Sequence, residues 1–539
     1  MAADHLGGFV SVTEFLDGIV LVVFFIATFA LSVYGIHLYI LVWLFRRKSK
    51  QTRRDQQAVT AEFVASVADE AWPVVTSQIP VYNELDVAER VIRSVAAMDY
   101  PVGKHEIQVL DDSDDRSREI VDAVVADLRS CGVQIKTVRR EDRSGYKAGA
   151  LAFGIERARG EFLAVFDADF VPPADFLRRA IPLLVRSPDL ACLQGRWAHL
   201  NQDESWLTRC QALGIDGHFA IEQGARAWNG LLMNFNGTAG IWRKAAIEDP
   251  KVGGWNGDTL TEDLDLSYRA QLAGWRFDYS VDLACPAELP SHINAFKSQQ
   301  RRWATGSIQV AIKLLPRIWR SPLTLGQRVE ATLHLTHYSV AVWMLLLAIV
   351  ARPMLMLRIG GGMEIRPWLW GLWTVILLSA IAPAITYGYA RWTLGGGWSG
   401  VRLIPKLMAL GCGMCVNNTI AVFRGLFLTG GEFVRTPKSG NDLPCKRRGT
   451  YAPVHTHMWL VELMLGLYSL VSFVLYVRGT LWPVSVFLLL YAAGFLTVAW
   501  MSAPRARSSR RQDHPRTQAS AGPGPTLSAR PSMPETAPP

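Results

Sequence analysis

Apolar residues dominate several long stretches of this chain, and polar segments separate them. Five stretches are long enough to cross a bilayer, which takes about 20 residues. They are residues 19–45, 331–357, 368–390, 458–477 and 479–500. A sixth apolar stretch, 403–429, also contains Lys406, Asn417, Asn418 and Arg424. The pattern therefore predicts several membrane-spanning helices. It leaves open whether the helix at 403–429 crosses the membrane or lies at its surface.

Basic residues beside the apolar stretches predict how the chain crosses the membrane, because cytoplasmic loops are enriched in lysine and arginine. Residues 46–54 form a basic cluster directly after the first predicted span. If 403–429 lies at the membrane interface, the basic loop 430–457 is also cytoplasmic. We therefore predict five spans, an interfacial helix at 403–429 and a cytoplasmic domain in a multi-pass protein of the plasma (inner) membrane.

Short apolar runs alternate with helical patterns between the first two predicted spans. The clearest runs are Val74–Ile79, Ile107–Leu110, Gln134–Val138 and Phe162–Phe166. Each run ends in a polar or glycine-bearing loop, which is typical of βαβ units with a parallel sheet. The predicted division of the chain is an anchor with its basic flank at 1–54, an α/β domain at 55–294, an amphipathic interfacial region at 295–330, a membrane region at 331–500 and a disordered tail at 501–539.

The composition agrees with a membrane protein. Of 539 residues, 50% are hydrophobic and 19% are charged, which is too apolar for an ordinary soluble protein. The formal net charge is +9, but the basic clusters lie beside apolar stretches, which favours a role in topology over nucleic-acid binding. Cys412 and Cys415 form a CxxC pair with no second pair in the sequence, which favours small buried residues in a reducing compartment over a four-ligand zinc site.

Two acidic clusters follow predicted strands. Asp111 and Asp112 follow the second run, and Asp167 and Asp169 follow the fourth. The carboxyl ends of parallel strands share one edge of a sheet, so we expect both clusters to face one crevice. Carboxylates are ligands that Mg²⁺ and Mn²⁺ prefer, and such a cation stabilises a diphosphate leaving group. The alternatives are a solvated turn for the second cluster and a helix N-terminus for part of the first.

Two patterns further along the chain complete the candidate chemistry. Glu262 and Asp263 open a helical segment, where a carboxylate can accept a proton from a sugar hydroxyl or simply complement the helix dipole. Gln299, Arg302 and Trp303 form the pattern QxxRW. Arginine binds phosphate oxygens and tryptophan offers a face to a sugar ring, although an interfacial helix would use both to anchor in the membrane. The four patterns in this order favour sugar transfer from a nucleotide donor.

The combination resembles the membrane-embedded processive family 2 glycosyltransferases, which include cellulose, hyaluronan and chitin synthases and the cellulose-synthase-like mannan and glucan synthases. The resemblance covers residues 70–440. Besides the acidic clusters and QxxRW, it is carried by Pro80–Glu84, Gly145–Gly149, Phe235–Gly240, Gly253–Trp255 and Phe433–Lys438. The last segment is similar to the FxVTxK gating loop, except that Arg435 replaces a valine. The resemblance implies a GT-A-like nucleotide-sugar domain with a mostly parallel sheet, inserted between transmembrane helices.

The resemblance also implies roles for individual residues. Those at the nucleotide sugar are Tyr82, Glu84, Asp111, Asp112, Lys147 and Asp167. Those that hold Mg²⁺ or Mn²⁺ are Asp167 and Asp169. Those at the reaction centre are Glu262, Asp263 as the general base, Gln299, Arg302 and Trp303. Those of the gating loop are Phe433, Thr436 and Lys438.

The predicted function is an inverting, metal-dependent transferase that polymerises a β-linked polysaccharide, a β-1,4-glucan or mannan, and passes it across the bilayer. UDP-glucose is the preferred donor, with GDP-mannose second, and the growing glycan chain is the acceptor. The first alternative is a non-processive transferase that adds one sugar to a lipid carrier. The second is an inert membrane protein that senses nucleotide sugars. No nucleic-acid partner is expected, and accessory subunits stay open.

Overall fold

The computed structural model describes the chain in five ranges, which are residues 12–361, 367–428, 430–431, 457–478 and 482–504. Within them, the side chains of residues 12–14, 357–373, 398–399 and 482–484 are not described. The predicted gating-loop residues Phe433, Thr436 and Lys438, and most of the predicted tail, lie outside the described residues.

The described part of the chain begins with one helix of 55 residues, α1 (Val12–Ser66). Its N-terminal part contains the predicted span 19–45, and its C-terminal part carries the basic cluster onto the α/β domain. There Arg53 forms an ion pair with Asp282 at 2.6 Å, and the Gln56 amide donates to the Tyr279 carbonyl oxygen at 3.0 Å. The domain boundary predicted after residue 54 therefore falls within a continuous helix.

A seven-stranded mixed sheet forms the centre of the α/β domain. Its strands are β1 (Val75–Val81), β2 (His105–Asp111), β3 (Ile135–Val138), β4 (Phe162–Val165), β5 (Leu190–His199), β6 (Gly240–Arg243) and β7 (Arg276–Ala287). Their order is β3-β2-β1-β4-β6-β5-β7, and β6 is antiparallel to both of its neighbours while the other pairs are parallel. All four strands predicted from the sequence are present, and the predicted mostly parallel α/β fold is confirmed.

Apolar side chains on the two faces of the sheet enter two separate cores. In β4, Phe162 and Ala164 belong to one core, and Leu163 and Val165 belong to the other. Both faces are buried, which explains why the strands appear in the sequence as continuous apolar runs rather than alternating ones. The helices of this domain are α2 (Ala88–Ala96), α3 (Ser117–Ser130), α4 (Tyr146–Ile155), α5 (Phe176–Val185), α6 (Trp206–Gly217), α7 (Gln223–Ala227), α8 (Lys244–Glu248) and α9 (Glu262–Leu272).

Long helices form the rest of the described chain. They are α10 (Ile293–Arg320), α11 (Leu325–Thr336), α12 (Val340–Gly361), α13 (Pro367–Thr393), α14 (Ile404–Phe427), α15 (Met458–Arg478) and α16 (Trp482–Ser502). Five stretches in the described ranges are long and apolar enough to cross a membrane, namely Phe15–Ser66, Leu325–Met356, Gly400–Phe427, Met458–Arg478 and Ser485–Ser502. The chain is therefore a membrane protein.

These candidate spans agree with most of the sequence prediction. Four of them coincide with predicted spans, and the fifth contains most of 403–429, for which an interfacial position was expected. The first residues of the predicted span 368–390 lie outside those with described side chains. By length and composition α14 is thus as suitable for crossing as for lying at the interface, and its placement stays a prediction.

Helix α10, which carries QxxRW, packs between the α/β domain and the membrane helices. Val310 and Leu314 enter a core with Tyr268 of α9. On the membrane side, the Lys297 ammonium donates to both carboxylate oxygens of Glu462 in α15 at 2.6 and 2.7 Å. A buried ion pair loses stability when either partner is removed, so this contact holds α10 in one position relative to α15.

Candidate active site

One open cavity lies at the carboxyl edge of the parallel strands, where β1, β2 and β4 end. It encloses 1340 Å³ of empty space, which includes its mouth. Helix α9 and helix α10 close its sides. The sequence-predicted residues that line it are Tyr82, Glu84, Asp112, Lys147, Asp167, Asp169, Glu262, Asp263, Gln299, Arg302 and Trp303. The crevice expected from the strand-end clusters is therefore present, and the QxxRW helix forms one of its walls.

Asp111 and Asp112 are both neutralised by arginines. The buried Asp111 carboxylate pairs with Arg139 at 2.7 Å and does not line the cavity, so its position gives no support to the predicted nucleotide contact. Asp112 lines the cavity and accepts two hydrogen bonds from Arg140, at 2.9 and 2.6 Å. Bidentate pairing of this kind fixes both side chains.

Asp167 and Asp169 line the cavity two and four residues beyond β4. The Asp167 backbone N–H donates to Thr238 Oγ1 at 2.9 Å, and its carboxylate pairs with Lys147 at 2.5 Å. Lys147 also donates to the Gly237 carbonyl oxygen at 2.8 Å. Burial raises the pKa of Asp167 even though Lys147 opposes the change. Burial alone lowers the pKa of Lys147, but the carboxylates of Asp167 and Glu262 outweigh it and the pKa is raised.

Glu262 and Asp263 are the first two residues of α9. Burial raises the pKa of Glu262. Burial, followed by repulsion from Glu262, raises the pKa of Asp263 to about 7. The Thr261 side chain does not cap the helix, because its Oγ1 is buried without a hydrogen-bond partner in the described structure. A carboxylate whose pKa is near neutral, in a cavity, has the property expected of a general base.

Glycine is required beside the candidate base. A Cβ atom at Gly237 would lie 2.9 Å from Asp263 Oδ2 and 3.3 Å from Lys147 Nζ. The backbone there has φ = +82°, a conformation that residues other than glycine rarely adopt. Gly237 therefore leaves room for the carboxylate and the ammonium to face each other across the cavity.

Arg302 and Trp303 bring a cation and an indole to the same cavity. Burial lowers the pKa of Arg302, while the carboxylates around it favour its charged form. The Trp303 ring lies 6.1 Å from that of Trp197, centroid to centroid, and Trp197 stacks on Phe219. Gln299 keeps a buried Oε1 without a hydrogen-bond partner among the described residues. The wall therefore combines apolar ring faces with polar groups, which suits a sugar.

The charges at the centre of the cavity leave room for a cation. Asp167, Asp169, Glu262 and Asp263 face two basic groups, Lys147 and Arg302. A divalent cation matches the surplus negative charge, and Mg²⁺ is commonly held by one or two carboxylates together with substrate phosphates. Within the described ranges, no group of three or more His, Cys, Asp and Glu side chains could hold a metal. The Asp167 and Asp169 carboxylates both line the cavity, and such a pair suits a cation that a diphosphate helps to bind.

Several cavity residues were missed by reasoning from the sequence. Trp197 lies near the end of β5, Asn236 and Gly237 precede β6, and Arg143 precedes α4. Trp197 and Arg143 have no motif spacing that marks them. Asn236 and Gly237 belong to a segment that the resemblance had already singled out, but no role was assigned to them. The useful signal was position, because each comes from a loop or strand end at the edge where the acidic clusters lie.

Comparison with known proteins identifies similar sequences for the α/β domain. Residues 73–306 match the family described as "Glycosyltransferase like family 2". Glucomannan 4-beta-mannosyltransferase 2 of Arabidopsis thaliana is 43% identical over 254 residues, covering 46% of this chain and 47% of that protein. Glucomannan 4-beta-mannosyltransferase 1 of Oryza sativa subsp. japonica is 43% identical over 255 residues, covering 47% and 49%. The chain spans about half the length of the curated relatives it matches.

A solved structure with a similar course of the chain is the mannosyltransferase PcManGT from Pyrobaculum calidifontis in complex with GDP-Man and Mn2+. It is 19% identical, with a TM-score of 0.45, and the alignment covers 74% of this chain and 99% of that one. The match over 73–306 and the curated relatives together show that this part of the chain is a glycosyltransferase family 2 domain.

Proposed function

We propose that the protein is an inverting, metal-dependent membrane glycosyltransferase that polymerises a β-1,4-linked mannan or glucan from a nucleotide sugar. The main support is the convergence of Asp167, Asp169, Asp263, Arg302 and Trp303 on one cavity beside the membrane helices. These residues come from the loop after β4, from α9 and from α10, and together they supply the groups that sugar transfer requires.

Asp263 is proposed as the general base. It accepts the proton of an acceptor hydroxyl while that oxygen attacks the anomeric carbon of the donor, and the bond to the diphosphate breaks on the opposite side. A pKa of about 7 leaves much of the carboxylate ionised at neutral pH, yet basic enough to take the proton. Trp303 and Trp197 provide ring faces against which the terminal acceptor sugar packs.

Lys147 and Arg302 are proposed to bind the leaving diphosphate. Both are partly buried among carboxylates, and fixed charges stabilise developing charge strongly where they are withdrawn from water. Asp169, assisted by Asp167, would hold Mg²⁺ or Mn²⁺. When bound, the cation offsets negative charge on the departing phosphate groups. The carboxylates of Glu262 and Asp263 stay available to the acceptor sugar.

The sugar and the product are proposed from the relatives. Curated relatives with 43% identity are named glucomannan 4-beta-mannosyltransferases. This favours GDP-mannose over the UDP-glucose preferred from the sequence alone. A growing chain that leaves the Trp303 face is next to α10 and the membrane helices, which supports passage of the polymer across the bilayer. A plasma-membrane location with a cytoplasmic active site is part of the proposal.

The product decides between this proposal and single-sugar transfer. Purified protein in lipid nanodiscs would receive labelled GDP-mannose or UDP-glucose with Mn²⁺ and a short β-1,4-mannan acceptor. We expect labelled polymer that endo-β-1,4-mannanase digests, and no incorporation in excess EDTA. An Asp175→Ala variant, changed at an exposed carboxylate that pairs with Arg179, serves as a control and keeps full activity. Single glycosylated lipids without polymer, or full activity in EDTA, would contradict the proposal.

A further inference from the structure

The chain that enters α9 contains the candidate base but has little regular structure of its own. Residues 249–261 connect α8 to α9 and form neither helix nor strand. The Thr261 side chain makes no capping hydrogen bond, and Asp263 Oδ1 accepts from the backbone N–H of its neighbour Leu264 at 2.8 Å. The position of the Asp263 carboxylate therefore depends on what holds the residues on either side of it.

Lys313 of α10 contacts both of those sides. Its Nζ atom lies 2.8 Å from Asp258 Oδ2 and 2.9 Å from Asp265 Oδ1. The contact with Asp265 is an ion pair rather than an aligned hydrogen bond, and this buried carboxylate also pairs with Arg269 at 2.8 Å. One partner of Lys313 precedes the candidate base and the other follows it, so a single ammonium spans the start of α9.

Gln309 holds the same loop one turn earlier in α10. Its buried side-chain amide accepts from the Leu260 backbone N–H at 3.0 Å. The amide nitrogen donates to the carbonyl oxygens of Leu428 at 3.0 Å and Gly430 at 2.7 Å, just beyond the end of α14. Because its oxygen and both of its N–H groups are paired, any movement of this buried amide would leave polar groups without partners.

Close packing supports these polar contacts. A Cβ atom at Gly306 would lie 2.5 Å from Thr261 Cγ2 and 2.9 Å from the Thr261 backbone nitrogen, so a glycine is needed where the loop crosses α10. Further along, Leu264 of α9 and Val310 of α10 enter one core. Residues 306, 309, 310 and 313 share one face of α10, because residues three and four apart are neighbours on a helix. The start of α9 thus rests on this face.

We propose that Lys313 and Gln309 are positioning residues for sugar transfer. Neither side chain lines the cavity, and both act by holding residues 258–265 so that Asp263 faces the cavity beside Gly237. This inference rests on the proposed function, because it concerns the geometry of the proposed base. A misplacement of about 1 Å can lower a rate by roughly 10². Loss of either contact therefore lowers kcat and leaves donor binding intact.

The test is a double-mutant cycle between Lys313 and Asp263, with the full-length protein in nanodiscs. Incorporation of labelled GDP-mannose into a short β-1,4-mannan acceptor with Mn²⁺ measures kcat, and titration calorimetry measures GDP affinity. We expect Lys313→Met to lower kcat by roughly 10–10²-fold and to change GDP affinity by less than a factor of about two. In the Asp263→Asn background it should change the remaining rate by less than a factor of about two, because the base that it positions is gone.

A conservative variant and a matched control accompany the cycle. Lys313→Arg keeps the positive charge and should keep kcat close to that of the wild type. Lys136 makes the same kind of contact elsewhere, since its Nζ lies 2.8 Å from the buried carboxylate of Glu106, which also pairs with Arg159. It does not line the cavity, so Lys136→Met should leave kcat unchanged. Its thermal unfolding gives the reference for Lys313→Met.

A second variant tests the other contact. Gln309→Met has a similar length and shape but can neither accept from Leu260 nor donate to the end of α14. We expect it to reproduce the pattern of Lys313→Met, with a lower kcat, an unchanged GDP affinity and no further loss in the Asp263→Asn background. A fall in GDP affinity as large as the fall in kcat, in either variant, would mean that the residue supports the donor site and would overturn the proposal.

The cycle also separates positioning from a general loss of folded protein. Partial unfolding would lower the rate by the same factor with and without the Asp263 carboxylate. Equal factors in the two backgrounds would therefore overturn the proposal, and so would an unchanged kcat in Lys313→Met. Failure of the proposed function would instead appear in the wild type, as an absence of sugar incorporation.

Discussion

The two acidic clusters at the strand ends consist of the same kind of residue, but their surroundings differ. Asp111 and Asp112 each have an arginine partner within hydrogen-bonding distance. The second group, Asp167, Asp169 and the α9 pair Glu262 and Asp263, has two cations among four carboxylates, and the pKa of Asp263 rises to about 7. The first cluster is thus paired with one arginine for each carboxylate, while the second is left short of positive charge. The structure therefore separates the two groups by how far their charges are neutralised, and we expect the proposed catalytic role to belong to the second group.

The largest expected effect comes from removing the under-neutralised base. Asp263→Asn should lower kcat by a factor of roughly 10²–10⁴, because a positioned base contributes that much. Nucleotide affinity should stay close to that of the wild type. Incorporation of labelled sugar and a nucleotide titration measure the two quantities. As the control, Asp127→Asn alters an exposed carboxylate paired with Arg93 and should keep normal kcat. Near-normal turnover in Asp263→Asn would exclude it as the base.

Removing a neutralised carboxylate should affect folding instead. Asp112→Ala leaves Arg140 buried without its partner, and both side chains are 8% exposed in the pair. Loss of one partner of a buried pair costs about 3–5 kcal/mol of unfolding free energy. The exposed pair of Asp189 and Arg276 provides the comparison, since Asp189→Ala should cost only ~0–1 kcal/mol. Denaturant unfolding in detergent measures both losses of unfolding free energy. Equal losses would show that the buried pair of Asp112 and Arg140 stabilises the fold no more than the exposed pair does.

The pH dependence of catalysis should follow the second group. The base must be ionised, and the pKa of Asp263 is about 7, so kcat/KM should fall as pH drops below 7. The fall approaches tenfold per pH unit for a single group. Initial rates from pH 5 to 9 measure it, with Asp127→Asn expected to give the same profile as the wild type. A decline that begins only near pH 4 would contradict Asp263 as the group whose ionisation limits the rate.

The smallest effect is a change in the free energy of unfolding. Its sign should differ between the two clusters, because removing the Asp263 charge should stabilise the fold whereas removing Asp112 should destabilise it. The folded-state pKa of Asp263 lies above its unfolded value, so the stability associated with its protonated form is present at low pH and is lost as pH rises through about 7. Asp263→Asn should therefore raise the free energy of unfolding by about 1–2 kcal/mol at pH 8 and by little at pH 4. Unfolding at the two pH values, in EDTA, measures the difference. If Asp263→Asn lowered the free energy of unfolding at pH 8, the Asp263 carboxylate could not be destabilised by repulsion from its neighbours.

Much of the site could be predicted because its residues are marked locally. Asp167 and Asp169 follow an apolar strand, Asp263 opens a helix, and Arg302 and Trp303 stand in a recognisable pattern. Whether each of these side chains points into the cavity could not be predicted. Asp111 shows this, because it stands beside Asp112 in the sequence and yet turns to Arg139 on the other side of the strand end.

Contacts between distant segments explain the residues that were missed. Trp197 shares a wall of the cavity with Trp303 because α10 packs beside it, with 6.1 Å between the two ring centroids. Arg143 lines the cavity with its guanidinium on the ring of Tyr82, a residue that follows a different strand. Both depend on which elements pack together, and neither has a local pattern that could reveal it.

The sequence by itself determined the alternation of strands and helices, the long apolar stretches, and the placement of carboxylates at strand and helix ends. These features follow from local periodicity and from the chemistry of neighbouring residues. Only the tertiary structure decided which carboxylates receive an arginine and which are left facing one another around Lys147 and Arg302. The reason is physical, because a pKa or an ion pair depends on burial and on charges a few ångströms away in space, and those charges come from distant parts of the chain.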